Sequence, residues 1–147
     1  MIKMAKPIDI LMIDDNRADI RMTQEVFKKA KFIVSLNYVT DGIEGMKYLR
    51  RQEPYTEVRR PDLILLDLNM PRKDGREVLE EIKSDEDLKT IPVIIMTISK
   101  AEEDILKSYK LHANAYVIKP IGLSQFNDAI GSIKDFWLTI VKLPSNG

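Results

Sequence analysis

Cysteine is absent from the 147-residue chain, which excludes disulfide frameworks, thiolate nucleophiles and Cys-ligated zinc. An excess of charge is missing too: Lys and Arg number 23, and so do Asp and Glu. A chain without net positive charge has no overall field to hold nucleic acid or an anionic membrane, so neither is expected as a partner. Long apolar runs are lacking as well. Behind Met1-Ile2-Lys3-Met4-Ala5-Lys6-Pro7 comes Ile8–Ile13, a run broken by Asp9 and closed by two acids, unsuited to a signal peptide or a membrane span. A cytoplasmic protein is the expectation. No Gly-rich loop follows that run, which removes the usual phosphate cradle of a nucleotide site. The one histidine, His112, falls near the end of a predicted helix, where a partly positive imidazole suits the dipole and reads as a surface residue.

What is present is an ordinary globular balance, 44% hydrophobic and 31% charged, enough for one domain with a real core and too short for two. The expected unit is a single domain over 1–147, with a core at about 7–133 and an extended last helix and tail at about 134–147. Short runs rich in Ile, Leu and Val recur at Ile8–Ile13, Ile33–Val39, Leu63–Leu66, Val93–Met96 and Tyr116–Ile118. Helical spacing fills the gaps: Ile20, Thr23, Phe27 and Ala30; Ile43, Met46 and Leu49; Val78, Leu79 and Ile82; Ile105, Leu106 and Tyr109. A longer helical stretch covers Leu123 to Val141. Strands alternating with helices predict βα crossovers and a parallel sheet covered on both faces. Five such units give an α/β, flavodoxin-like (βα)5 fold with strand order 2-1-3-4-5 and an extended C-terminal helix. The loop Glu53–Pro61, with Arg59-Arg60, reads as a solvated connection, and Pro144–Gly147 as a frayed tail.

In a parallel sheet all strand C-termini share one edge, where ligands bind. The first strand ends in Asp14-Asp15, the third in Asp67, the fourth in Thr97 and the fifth in Lys119-Pro120. The second ends in Thr40-Asp41, at the sheet's outer edge, where either residue suits a helix N-cap. Each group alone has an ordinary structural use, as a cap, a buried hydroxyl or a surface lysine. Together they bring three carboxylates, a hydroxyl and an ammonium to one crevice. Crowded carboxylates repel one another and call for a cation, and hard Mg²⁺ prefers a few carboxylates with water and phosphate oxygens. A carboxylate can also attack phosphorus and form an aspartyl-phosphate. A lysine point charge and a threonine donor suit phosphoryl oxygens as they gain charge. Asp67, on the central strand, fits the nucleophile best.

These residues resemble the receiver domains of two-component response regulators, and the match spans nearly the whole chain. By that resemblance Asp67 accepts a phosphoryl group from a sensor histidine kinase. Asp14 or Asp15 and Asp67 hold Mg²⁺, and Asn69 adds its backbone carbonyl. Thr97 and Lys119 contact the phosphoryl group, and the bond from Lys119 to Pro120 is expected to be cis. Tyr116 matches the family's switch aromatic, moving as Thr97 turns inward. The segments Pro71-Arg72-Lys73-Asp74-Gly75-Arg76-Glu77-Val78-Leu79 and Asp135-Phe136-Trp137-Leu138 are similar to the small regulators that serve bacterial phytochromes, which have no output domain. One departure stands out: the family places a small residue after Thr97, and this chain has Ile98.

Rival functions fit less well. A phosphohydrolase of the haloacid-dehalogenase type carries a second Asp two residues after its nucleophile, whereas here the segment is Asp67-Leu68-Asn69, and an amide is no general acid. The chain is therefore expected to be a phosphoacceptor that promotes its own phosphotransfer and dephosphorylation, not an enzyme acting on other substrates. A DNA-binding output module has no room after Pro120, and a docking-only receiver would not need the full set of side chains. The last helix, roughly 28 Å long at 1.5 Å per residue, should overshoot strands of about 17–20 Å. Phe136, Trp137 and Ile140 would then form an exposed cluster, expected to pair a homodimer through the face made by the fourth helix, fifth strand and fifth helix.

Overall fold

Three helices and five strands can be traced in a computed structural model that describes residues 7–29, 34–70, 72–98, 101, 113–119 and 124. In chain order they are β1 (Ile8–Ile13), α1 (Arg17–Lys28), β2 (Val34–Val39), α2 (Gly42–Leu49), β3 (Leu63–Asp67), α3 (Gly75–Ser84), β4 (Val93–Thr97) and β5 (Ala115–Ile118). The strands form one parallel sheet in the order β2-β1-β3-β4-β5, as the alternation of runs and helices predicts. The stretches assigned to the fourth and fifth helices, the tail and His112 lie outside the described residues. So do Pro120, Phe136, Trp137, Ile140 and the side chain of Thr97.

Strand β1 is buried at all six positions because it has a neighbour on each side and helices over each face. Its side chains alternate between two apolar layers, as strand geometry requires. Leu11 and Ile13 join Met46, Leu49, Val78 and Ile82 under α2 and α3. Ile8, Ile10 and Met12 join Ile20, Val26 and Phe27 under α1. Each fully buried Ile or Leu contributes about 1.5–3 kcal/mol, so these strands are where most of the stability resides. The helices begin on side-chain caps. Asn16 Oδ1 accepts the N–H groups of Ala18 and Asp19 at 2.9 and 3.1 Å. Asp41 Oδ1 accepts from Glu44 at 2.8 Å, and Asp74 forms a capping box with Glu77.

Three expectations need correction. Strand β2 is not covered on both faces: only Val39 is buried and Tyr38 is exposed, because an edge strand has one neighbour. Ile43 is not on the buried stripe. The inward face of α2 is made by Gly42, Gly45, Met46, Tyr48 and Leu49, which leaves Ile43 in solvent. The loop 53–61 is anchored rather than simply solvated. Tyr55 donates to Glu44 Oε1 at 2.5 Å and packs on Tyr48. Arg59 pairs with Asp9 at 3.6 Å, and Arg60 reaches Asp87 O and Thr90 Oγ1. No helix among the described residues is long and apolar enough to cross a membrane.

Candidate phosphoacceptor and cation site

The chain leaves β1 toward β2 on one side and later enters β3 on the other, so a crevice opens between the C-terminal ends of β1 and β3. Asp14, Asp15 and Asp67 meet there, with one carboxylate oxygen of each within 4.8 Å of the others. Asp14 is fully buried, Asp67 is nearly so, and Asp15 faces solvent. Asp14 Oδ1 accepts the Asn16 N–H at 2.8 Å, and its main-chain N–H donates to Val39 O at 3.1 Å. Asp67 Oδ1 accepts the Asn69 N–H at 3.2 Å. Lys119 reaches in from the end of β5, with Nζ 3.0 Å from Asp14 Oδ2 and 3.3 Å from Asp67 Oδ2.

Burial sets the protonation of the site. It pushes the Asp67 carboxyl up to about 7, with the charge of Asp14 adding to the rise and Lys119 opposing it. Burial also raises Asp14, against its bond from Asn16 and the charge of Lys119. For Lys119 burial acts the other way, but Asp19, Asp14 and Asp67 outweigh it and hold the ammonium above its usual range.

The donor set suits a hard divalent cation. All three groups are oxygens, the crevice is open to water at Asp15, and Asp14 Oδ2 is a buried oxygen that accepts no hydrogen bond from the described residues, with the Lys119 ammonium 3.0 Å away. A carboxylate in that state is one that gains from a further positive ligand.

A sequence model of the response regulator receiver domain matches residues 10–131. The chain belongs to that family. Receiver domains accept a phosphoryl group on an aspartate from a histidine kinase and bind a divalent metal in an acidic pocket of this kind. Response regulator Rcp1 of Synechocystis sp. is 45% identical over 139 residues, covering 95% of both chains. The phosphorylated cyanobacterial phytochrome response regulator RcpA is 48% identical with a TM-score of 0.74, over 91% of this chain and 96% of its own. The Mn²⁺-bound form of Rcp1 is 47% identical with a TM-score of 0.73, over 90% and 95%.

Of the residues read from the sequence, this receiver brings Asp14, Asp15, Asp67 and Lys119 together as expected. Thr97 ends β4 in register with Ile118, which places its backbone on the same edge. Tyr116 is half-buried on β5 opposite Ile95 and packs against the layer under α2 and α3. Ile98 is 64% exposed at that edge. One residue was missed. Asp19, in the first turn of α1, lies 2.8 Å from Lys119 Nζ. Its position reads as an ordinary acid at a helix N-terminus. The only hint was its spacing, one turn beyond Asp15.

Proposed function

We propose that Asp67 is the phosphoacceptor of this response regulator receiver domain and that Mg²⁺ is its cation. The observation that carries this reading is the position of Asp67. It closes the central strand, sits among two further carboxylates within 4.8 Å, and has the Lys119 ammonium 3.3 Å from its Oδ2. Asp67 supplies the attacking oxygen. A bond forms from that oxygen to phosphorus as the donor's phosphorus–nitrogen bond breaks. The Asn69 N–H holds Oδ1 and so orients the carboxylate. Lys119 faces the oxygens on which negative charge accumulates. Asp14, Asp15, Asp67 and the Asn69 carbonyl would hold Mg²⁺, which supplies charge neutralisation for the carboxylates and the phosphoryl oxygens when bound.

Thr97 then turns toward the phosphoryl group and Tyr116 follows it inward. The likeness to Rcp1 and RcpA supports a phytochrome-type sensor kinase as donor in a cytoplasmic pathway. We further propose that two copies pair through Phe136, Trp137 and Ile140, and sedimentation velocity with and without phosphorylation tests that association. The acceptor is tested with acetyl phosphate and Mg²⁺ as donor system, followed by intact-mass analysis. The wild-type chain takes one base-labile phosphoryl group and Asp67→Asn takes none; full labelling of Asp67→Asn overturns the reading.

A further inference from the structure

The shortest ion pair of Lys119 is made to a residue outside the cation trio. Nζ lies 2.8 Å from Asp19 Oδ2, against 3.0 Å to Asp14 and 3.3 Å to Asp67. We propose that Asp19 is a positioning residue for phosphoryl transfer, holding the Lys119 ammonium at the pocket through every stage of the reaction. The proposal rests on the reading of Asp67 as acceptor.

Lysine is a compact charge on a flexible four-carbon stem, with three donors and no preferred fork. Here the three carboxylates around it come from α1, the end of β1 and the end of β3. Asp14 and Asp67 belong to the trio suited to a cation. Once their charge is committed there, the ammonium has less to hold it, and two positive centres a few ångströms apart repel. Asp19 is not in that trio and keeps its charge for Lys119.

The backbone fixes Asp19 for this task. Asp14 Oδ1 accepts from Asn16 N, Asn16 Oδ1 accepts from Asp19 N, Asp19 Oδ2 meets Lys119, and Lys119 returns to Asp14 Oδ2. The result is a closed ring of four residues that ties the start of α1 to the ends of β1 and β5. Thr23 Oγ1 donates to the Asp19 carbonyl at 2.8 Å and secures the same turn from below. A charge held in place before negative charge develops needs no reorganisation when it does.

The test compares phosphorylation rates of Asp67 with acetyl phosphate and Mg²⁺ in wild type, Asp19→Asn, Asp19→Glu, Lys119→Gln and the Asp19→Asn/Lys119→Gln double variant. Loss of one charge-assisted bond predicts that Asp19→Asn is slower by about tenfold. Asp19→Glu, which keeps the charge, recovers most of the rate. In the Lys119→Gln chain the further change Asp19→Asn costs less than about twofold, because the partner is already gone. Asp19→Asn at the wild-type rate, or an equal tenfold loss in both backgrounds, overturns the proposal. A second reading uses the unphosphorylated chain: nitrogen-15 NMR of the lysine ammonium groups. Wild type shows a Lys119 signal protected from solvent exchange that Asp19→Asn lacks; its persistence in Asp19→Asn overturns the proposal even where Lys119→Gln labels too slowly to measure. A wild-type chain that takes no label would instead fail the Asp67 reading, and the NMR comparison would still decide the role of Asp19.

Discussion

Gly75 opens α3 with its Cα pressed against the strand that ends in Asp67, and a single methyl group added there reports on how tightly the acceptor is held. A Cβ at Gly75 would stand 2.7 Å from Leu68 Cα and closer still to the Asp67 carbonyl oxygen. Both are backbone atoms and cannot rotate aside. Bringing the Leu68 contact to 3.4 Å, the start of ordinary van der Waals distance, means separating α3 from the end of β3 by roughly 0.7 Å, and the tighter Asp67 contact asks for more. Alanine gains about 1 kcal/mol over glycine in helix propensity. Overpacking of this kind costs about 1–3 kcal/mol. The 2.9 Å bond from Gly75 N–H to Leu68 O weakens as the elements part, at about 1 kcal/mol more. The balance for Gly75→Ala is a loss of about 1–3 kcal/mol, or roughly 3–9 °C in melting temperature for a chain of this size. Because Asp67 moves with its carbonyl, its phosphorylation should slow by about tenfold or more. Gly45→Ala is the control. Its Cβ would meet only side-chain atoms of Ile13, Cδ1 at 2.8 Å and Cγ1 and Cγ2 at 3.3 Å, so melting should fall less than in Gly75→Ala and phosphorylation should keep its rate. Calorimetric melting and intact-mass phosphorylation rates decide the matter. A Gly75→Ala chain that melts at or above wild type and labels at the same rate refutes the reasoning.

Two further outcomes follow from the same pocket. Ile98 follows Thr97 and is 64% exposed; on the reading that its side chain shields the phosphoryl group, Ile98→Ala should shorten the phosphorylated lifetime, and equal decay rates would show that the side chain shields nothing. Burial lifts Asp67 to about 7, so below that pH a proton occupies an oxygen the cation needs. Mg²⁺ affinity, measured by titration calorimetry, should be flat above neutrality and fall by about tenfold for each unit below it; a flat profile down to pH 5.5 would contradict the perturbed carboxyl.

The strand ends were legible in the sequence because a parallel sheet has one functional edge, and simple apolar runs mark where each strand stops. Asp14, Asp67 and Lys119 needed no more than that to be grouped. The misreadings have a common physical source. Ile43 and the residues of β2 look core-like in one dimension, and only the position of β2 at the sheet's margin and the pitch of α2 expose them. Arg59, Arg60 and Tyr55 find partners far along the chain or in another element, which local composition does not encode. Asp19 obeyed a local rule so well, as an acid in a first helical turn, that its second partner at Lys119 was hidden. The approach of Gly75 to Asp67 is likewise a property of helix placement, invisible in spacing.

Asp14, Asp19 and Asp67 flank the Lys119 ammonium and Asp15 lies beside Asp14 and Asp67, in a chain whose basic and acidic residues are equal in number. The mouth of the crevice is therefore a local negative well on a neutral molecule, and it repels anionic phosphodonors by the same field that attracts metal ions. A bound divalent cation would cut that excess of negative charge, and a phosphodonor arriving after it would meet a weaker repulsion. Ionic strength consequently acts on the two encounters in opposite directions, weakening capture of the ion while relieving the repulsion felt by the donor.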